Sequence, residues 1–149
     1  MPSSISVRVL VAEPRHARGL IDTSVVIDLG HVDPADLPSE IAISAVTLAE
    51  LAAGPHATAD ADERARRQDR LQRTEATFEA LPVDGAVARA YGRVYAAVAT
   101  AGRQARGRRA FDLLIAATAL AAELPLYTRN RGDFRELEPL IELVALPTP

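Results

Sequence analysis

Residues 19–27 read Gly19-Leu20-Ile21-Asp22-Thr23-Ser24-Val25-Val26-Ile27, and a strand hands over to a helix inside them. Leu20 and Ile21 form a short apolar strand that stops at Asp22. Thr23-Ser24 then supplies a hydroxyl cap for the helix carrying Val25, Val26, Ile27 and Leu29. The alternation continues downstream. Residues 33–39 hold two Pro and read as loop, residues 41–44 as a second short strand, and residues 47–53 as a helix stopped by Gly54-Pro55. Residues 60–81 are helical by pattern, polar through Arg70 and then striped by Leu71, Phe78 and Leu81 with Thr74 between. Pro82-Val83-Asp84 breaks that helix. A second long helix runs over residues 86–101 with Val87, Tyr91, Val94 and Val98 on one face. Residues 102–109 form a Gly- and Arg-rich loop, and residues 110–123 a helix so apolar all round that it must be buried. Residues 126–128 make a strand, 130–133 a turn and 141–146 a last strand. Strands alternating with helices specify an α/β fold, a parallel sheet with helices on both faces.

Upstream, residues 1–18 read as an N-terminal extension, leaving 19–149 as one domain. Ile5, Val7, Val9 and Val11 alternate as in a short edge strand, which Pro14 and the basic residues after it end. A mobile leader or an upstream start codon is the alternative. A chain of 149 residues is one domain of ordinary size and needs no disulfide or metal to fold.

Composition removes several chemistries. There is no Cys, so disulfides, thiolate metal sites and thiol nucleophiles are excluded. All 17 basic side chains are Arg, so no lysine serves as base, Schiff-base former or phosphate-loop cation. His16, His31 and His56 follow no zinc-ligand spacing. A net charge of −3 exerts no global pull on nucleic acid. The longest apolar stretch carries Asp112 and Glu123, and the N-terminus lacks the order of a signal peptide. The expectation is a cytoplasmic protein with no membrane partner.

Four acids stand among apolar neighbours: Asp22, Glu50, Asp112 and Asp133. Singly, each has an ordinary structural reading. Asp22 or Ser24 can cap a helix, Thr47 with Glu50 fits a capping box, Asp112 complements a helix N-terminus, and Asp133 suits a turn. Together they fall after strand ends or at a helix start, positions that a parallel sheet gathers at its carboxyl edge. Four gathered carboxylates repel one another and raise their pKa values. A hard divalent cation such as Mg²⁺, or Mn²⁺ in its place, resolves the conflict. With no Cys, no Lys and no placed His, the nucleophile is water, and metal-assisted phosphodiester hydrolysis is the chemistry indicated. A phosphoaspartate phosphatase is excluded, because Ser24 occupies the position of the second acid and no lysine is present.

The segments Leu20-Ile21-Asp22-Thr23-Ser24-Val25, Ile43-Ser44-Ala45-Val46-Thr47-Leu48-Ala49-Glu50-Leu51, Phe111-Asp112-Leu113-Leu114-Ile115-Ala116-Ala117 and Leu126-Tyr127-Thr128-Arg129-Asn130-Arg131-Gly132-Asp133-Phe134 occur in that order. This ordered set resembles the PIN-domain nucleases, in particular the VapC-type toxins of bacterial type II toxin–antitoxin modules. The resemblance implies a three-layer α/β/α fold with a central parallel sheet and a metal-dependent endoribonuclease activity. It implies catalytic and metal-holding roles for Asp22, Glu50, Asp112 and Asp133, with Thr23, Ser24, Thr128 and Asn130 orienting them. It further implies an RNA substrate, a cognate antitoxin and a homodimer. Two Mg²⁺ would balance four carboxylates. Arg108, Arg109, Arg129 and Arg131 then become candidates for RNA phosphates, or are only a solvated, Arg-biased loop. Residues 64–73 read as a solvated helix face. Ala88, Ala96, Ala97 and Ala101 could floor a groove for the antitoxin or serve the core. The alternatives are a catalytically silent PIN domain acting as a binding module, and a PIN-like nuclease acting on DNA.

Overall fold

Leu20 and Ile21 are both wholly buried, although neighbouring residues of a strand point to opposite faces. Their strand must therefore lie at the centre of a sheet covered on both sides. The computed structural model, which describes residues 16–103 and 105–147, has that arrangement. Five strands, β1 (Arg18–Ile21), β2 (Glu40–Ser44), β3 (Glu79–Leu81), β4 (Leu126–Thr128) and β5 (Leu143–Ala145), pair in the order β3-β2-β1-β4-β5, and every pair is parallel. Leu20 sits between Ala42 of β2 and Leu126 of β4.

The alternation divides the core in two. Leu20, Ala42, Leu126 and Leu143 face one cluster, and Ile21, Ile43, Tyr127 and Val144 face the other. The first cluster is closed by α4 (Gly85–Thr100), through Val87, Val94 and Val98, and by α5 (Arg108–Ala122), through Leu113, Ala116 and Ala117. The second is closed by α1 (Thr23–Ile27), through Val25 and Val26, with Leu71 of α3 (Ala61–Thr77) partly buried against it. At the end of the sheet, α2 (Ala45–Ala53) sends Val46 to the first cluster and Leu51 to the second. The result is the three-layer α/β/α fold with its central parallel sheet. Each fully buried Leu or Ile contributes roughly 1.5–3 kcal/mol of transfer free energy. Gly19 is required by packing, because a Cβ there would stand 2.5 Å from the Tyr127 ring.

Several elements differ from the sequence reading. The helix expected to reach residue 81 ends at Thr77, and Glu79–Leu81 forms β3 instead. Phe78 is already extended, and the next three residues pair with Ala42, Ile43 and Ser44; the open edge of β2 outweighs the helical stripe. Ser44, not Thr47, caps α2, so Thr47 and Glu50 are no capping box. The helix α5 starts at Arg108, before the expected residue 110, which puts Asp112 in its second turn rather than at its N-terminus. Gly107 makes the entry at φ +65°, a conformation that favours glycine. A 3-10 helix over Arg131–Leu137 replaces the simple turn. The last strand is only Leu143–Ala145.

The described residues just before Gly19 are tied to the sheet. Arg18 begins β1, the Ala17 carbonyl accepts the Glu40 N–H at 2.8 Å, and His16 Nε2 lies 2.7 Å from Glu142 Oε2. The edge strand expected over residues 5–11 lies outside the described residues. Among the described residues no helix is long and apolar enough to cross a membrane.

Candidate active site

From β1 the chain passes to β2 and β3 on one side, then returns to place β4 and β5 on the other. The crossover directions diverge between β1 and β4, and open parallel sheets take their ligands at the carboxyl ends of such neighbours. Asp22 follows the last residue of β1 at this point, and its N–H donates to the Tyr127 carbonyl of β4 at 3.1 Å.

Asp22 is only 5% exposed. It caps α1 by accepting the Val25 N–H at 3.1 Å, and it accepts the Ser24 hydroxyl at 2.6 Å on the same oxygen, Oδ1. The Thr128 hydroxyl, at the end of β4, also favours its ionised form. Burial raises its carboxyl above the ordinary range, and the bonds from Ser24, Thr128 and Val25 hold part of that rise back. Asp22 is thus a helix cap as well as a candidate site carboxylate.

Glu50 comes from the middle of α2, the helix that follows β2. The Thr23 hydroxyl donates to Glu50 Oε1 at 2.7 Å and lies 3.0 Å from the buried Thr47 hydroxyl. A polar chain therefore ties the first turn of α1 to the inner face of α2. Thr47 was read only as a cap. The signal for its real place was its position three residues before Glu50, on the same helix face.

Asp112 is the electrostatic centre of the group. Burial first, and then the charges of Glu50 and Asp22, push its carboxyl up to about 6; Arg109 opposes the rise and Asp133 adds to it. The other three acids singled out in the sequence therefore all act on Asp112, although the four lie on separate segments. Asp133 is exposed and stands on the 3-10 helix after β4. Asn130 is exposed, its N–H donates to the Thr128 hydroxyl at 3.0 Å, and its carbonyl accepts the Asp133 N–H at 2.9 Å. Its backbone, rather than its side chain, sets the turn.

The arginines divide. Arg108 is exposed and engages no partner among the described residues, and Arg131 pairs with Glu138 at 3.0 Å on the surface. Arg109 and Arg129 do not face solvent as expected. Arg109 is 14% exposed, bonds Glu136 at 2.8 Å and lies over the Phe134 ring. Arg129 is 4% exposed, with Nη1 3.1 Å from Asp28 Oδ2 but outside hydrogen-bond direction. Both side chains are largely buried as ties between segments. Glu136, 7% exposed and held by both Arg103 and Arg109, went unnoticed in the sequence because nothing in its surroundings marks it.

The donors suit a hard cation. They are all carboxylate and hydroxyl oxygens, and the mutual repulsion at Asp112 is what a positive charge would relieve. Among the described residues no three acids or histidines close on one point as a complete cage. Mg²⁺ does not require one, since it keeps several waters and binds through one or two carboxylates plus phosphate oxygens.

The chain resembles known proteins in sequence and fold. The family model described as PIN domain matches residues 19–138. The chain is 41% identical over 125 residues to Ribonuclease VapC5 of Mycobacterium tuberculosis, covering 82% of this chain and 89% of that protein. It is 40% identical over 103 residues to Ribonuclease VapC8 of Mycobacterium tuberculosis, covering 68% of this chain and 89% of that one. The solved structure of a member of the VapBC family of toxin–antitoxin systems, VapBC-5 from Mycobacterium tuberculosis, matches with a TM-score of 0.75 and 40% identity, over 87% of this chain and 98% of that chain.

Proposed function

The chain belongs to the PIN-domain family, among its VapC-type members, and on that premise we propose that it is a metal-dependent endoribonuclease, the toxin of a toxin–antitoxin pair. The observation that carries this reading is the convergence on Asp112, a partly buried carboxyl on a helix that feels the charges of Glu50, Asp22 and Asp133 from three other segments. Acids kept together against their own repulsion serve something positive. Mg²⁺, with Mn²⁺ as substitute, is the cation assigned to them. When bound it would neutralise phosphate charge and make water a usable nucleophile near neutral pH.

The protein's own part is positional. Ser24, Thr128 and the Val25 N–H hold the Asp22 carboxylate at the mouth of β1. Thr23 fixes one oxygen of Glu50 and leaves the other free. Asp112 stands in the second turn of α5 and Asp133 on the 3-10 helix after β4, and both are assigned to the same site. RNA is the substrate assigned, following the relatives named as ribonucleases. An antitoxin is the assigned partner, following the VapBC assembly of the structural relative. A homodimer and a cytoplasmic site of action complete the proposal.

The test is cleavage of a labelled RNA and of the matching single-stranded DNA. Cleavage of RNA that stops in excess EDTA and returns with Mg²⁺ or Mn²⁺ is expected. Undiminished cleavage in EDTA would overturn the metal-dependent reading. A DNA substrate cut in preference would overturn the ribonuclease reading. A folded, metal-loaded protein that cuts neither would leave only a binding module.

A further inference from the structure

A cavity of about 470 Å³ opens beside Thr23 and Glu50. Its charged lining is Glu50, Glu63, Arg67 and Arg70, with Arg108 contributed from the first turn of α5. A second cavity of similar size lies between α1 and α3, and Ile27 and Arg70 line both. Arg70 therefore stands where the two meet, in a groove that leads to the acids.

The charges in this groove are not equally committed. Arg67 donates to the Gly54 carbonyl at 2.9 Å and lies 3.9 Å from Glu63, which Arg66 also approaches at 3.4 Å. Glu50 is held by Thr23. Arg73 pairs with Asp69 at 2.8 Å. Arg70 and Arg108 alone among the charged lining of the first cavity have no side-chain hydrogen bond or ion pair among the described residues. Arg70 is half-buried and lines both cavities, and its side chain has no partner among the described residues. An incoming anion with two accepting oxygens supplies what it lacks, and phosphate matches the guanidinium fork. This corrects the reading of residues 64–73 as a uniformly solvated face. The polar half of α3 meets its apolar half at Arg70-Leu71, and that boundary turns Arg70 inward.

We propose that Arg70 and Arg108 form a phosphate clamp for the RNA strand, holding backbone phosphates next to the one that is cut. The inference rests on the ribonuclease reading and adds the residues that seat its substrate. The clamp reads no base, because phosphate contacts fix register and orientation without sequence information. It also accounts for RNA binding by a chain of net charge −3. Arg70 and Arg108 put two unpaired positive charges in the groove that the strand must enter.

The test compares steady-state cleavage of a labelled RNA in Mg²⁺ at several salt concentrations. The proteins are wild type, Arg70→Ala, Arg108→Ala, the double variant, and the lysine pair Arg70→Lys/Arg108→Lys. Arg93→Ala, on α4 and in neither cavity, controls for net charge. Each alanine is expected to raise KM by roughly tenfold, the scale of one charge-assisted contact, and to change kcat little. The double variant should flatten the slope of log(kcat/KM) against log salt by about 1.4, the value for two single-strand phosphate contacts. The lysine pair should keep most of the slope while losing the bidentate fit. Wild-type KM and salt slope in the double variant, equal to those of Arg93→Ala, would overturn the clamp and leave the ribonuclease reading standing. A wild-type protein that cuts no RNA would overturn both.

Discussion

Asp112 carries a measurable signature of its surroundings. Its carboxyl is pushed up to about 6 in the folded protein, whereas an unfolded chain offers roughly the ordinary aspartate value of 3.9. Between these two values the folded state binds more protons than the unfolded one. Stability of the metal-free protein therefore gains from this group below about pH 4 and loses that gain as pH rises through about 6. Asp22, also raised by burial, acts in the same direction. Asp112→Asn cannot ionise, so its stability relative to wild type should climb from pH 4 to pH 7 when both are unfolded by urea in EDTA. A difference that stays flat across that range would mean that Asp112 does not feel Glu50, Asp22 and Asp133.

The junction between α5 and the 3-10 helix after β4 is held by a buried charge. Glu136 takes Arg109 at 2.8 Å and Arg103 at 3.3 Å, so it joins the helix that bears Asp112 to the segment that bears Asp133. Arg109 already has one buried nitrogen, Nε, without a partner. Glu136→Ala would leave the whole guanidinium unpaired, at a cost of about 3 kcal/mol. The exposed Arg73–Asp69 pair, of the same 2.8 Å length, should yield no more than about 0.5 kcal/mol on Asp69→Ala. Denaturant unfolding of the two variants checks this, and equal losses would contradict it. The same elements show what the sequence could and could not convey. The runs at Leu20-Ile21 and Leu126-Tyr127-Thr128 were legible because fully buried parallel strands are apolar throughout. The strand Glu79–Leu81 was not, because three residues carry no period and Phe78 and Leu81 extend the helical spacing of Leu71. Glu136 was equally hidden, since its partner Arg109 lies 27 positions away.

The sheet order explains why four scattered acids were nonetheless readable as one candidate site. With β1 between β2 and β4, whatever follows those three strands arrives at a common edge. Asp22, Glu50 and Asp133 all occupy such positions, and α5 crosses behind them with Asp112. What sequence spacing could not supply was direction. It treated Arg108 and Arg109 as a pair, whereas one turn of α5 sends the first to the groove and the second to Glu136. It also placed Thr47 in a cap, although Thr47 braces Thr23 against Glu50. The fold thus assembles a carboxylate cluster with a groove beside it, in a chain whose overall charge would not attract RNA. The decisive measurement is single-turnover cleavage of a labelled RNA in Mg²⁺ by wild type, Asp22→Asn, Glu50→Gln and Asp112→Asn, with folding of each verified by circular dichroism. Each substitution should slow cleavage by roughly 10³-fold, equivalent to ~4 kcal/mol of transition-state stabilisation, in a protein that stays folded. Cleavage at the wild-type rate by any of the three folded variants would contradict the account.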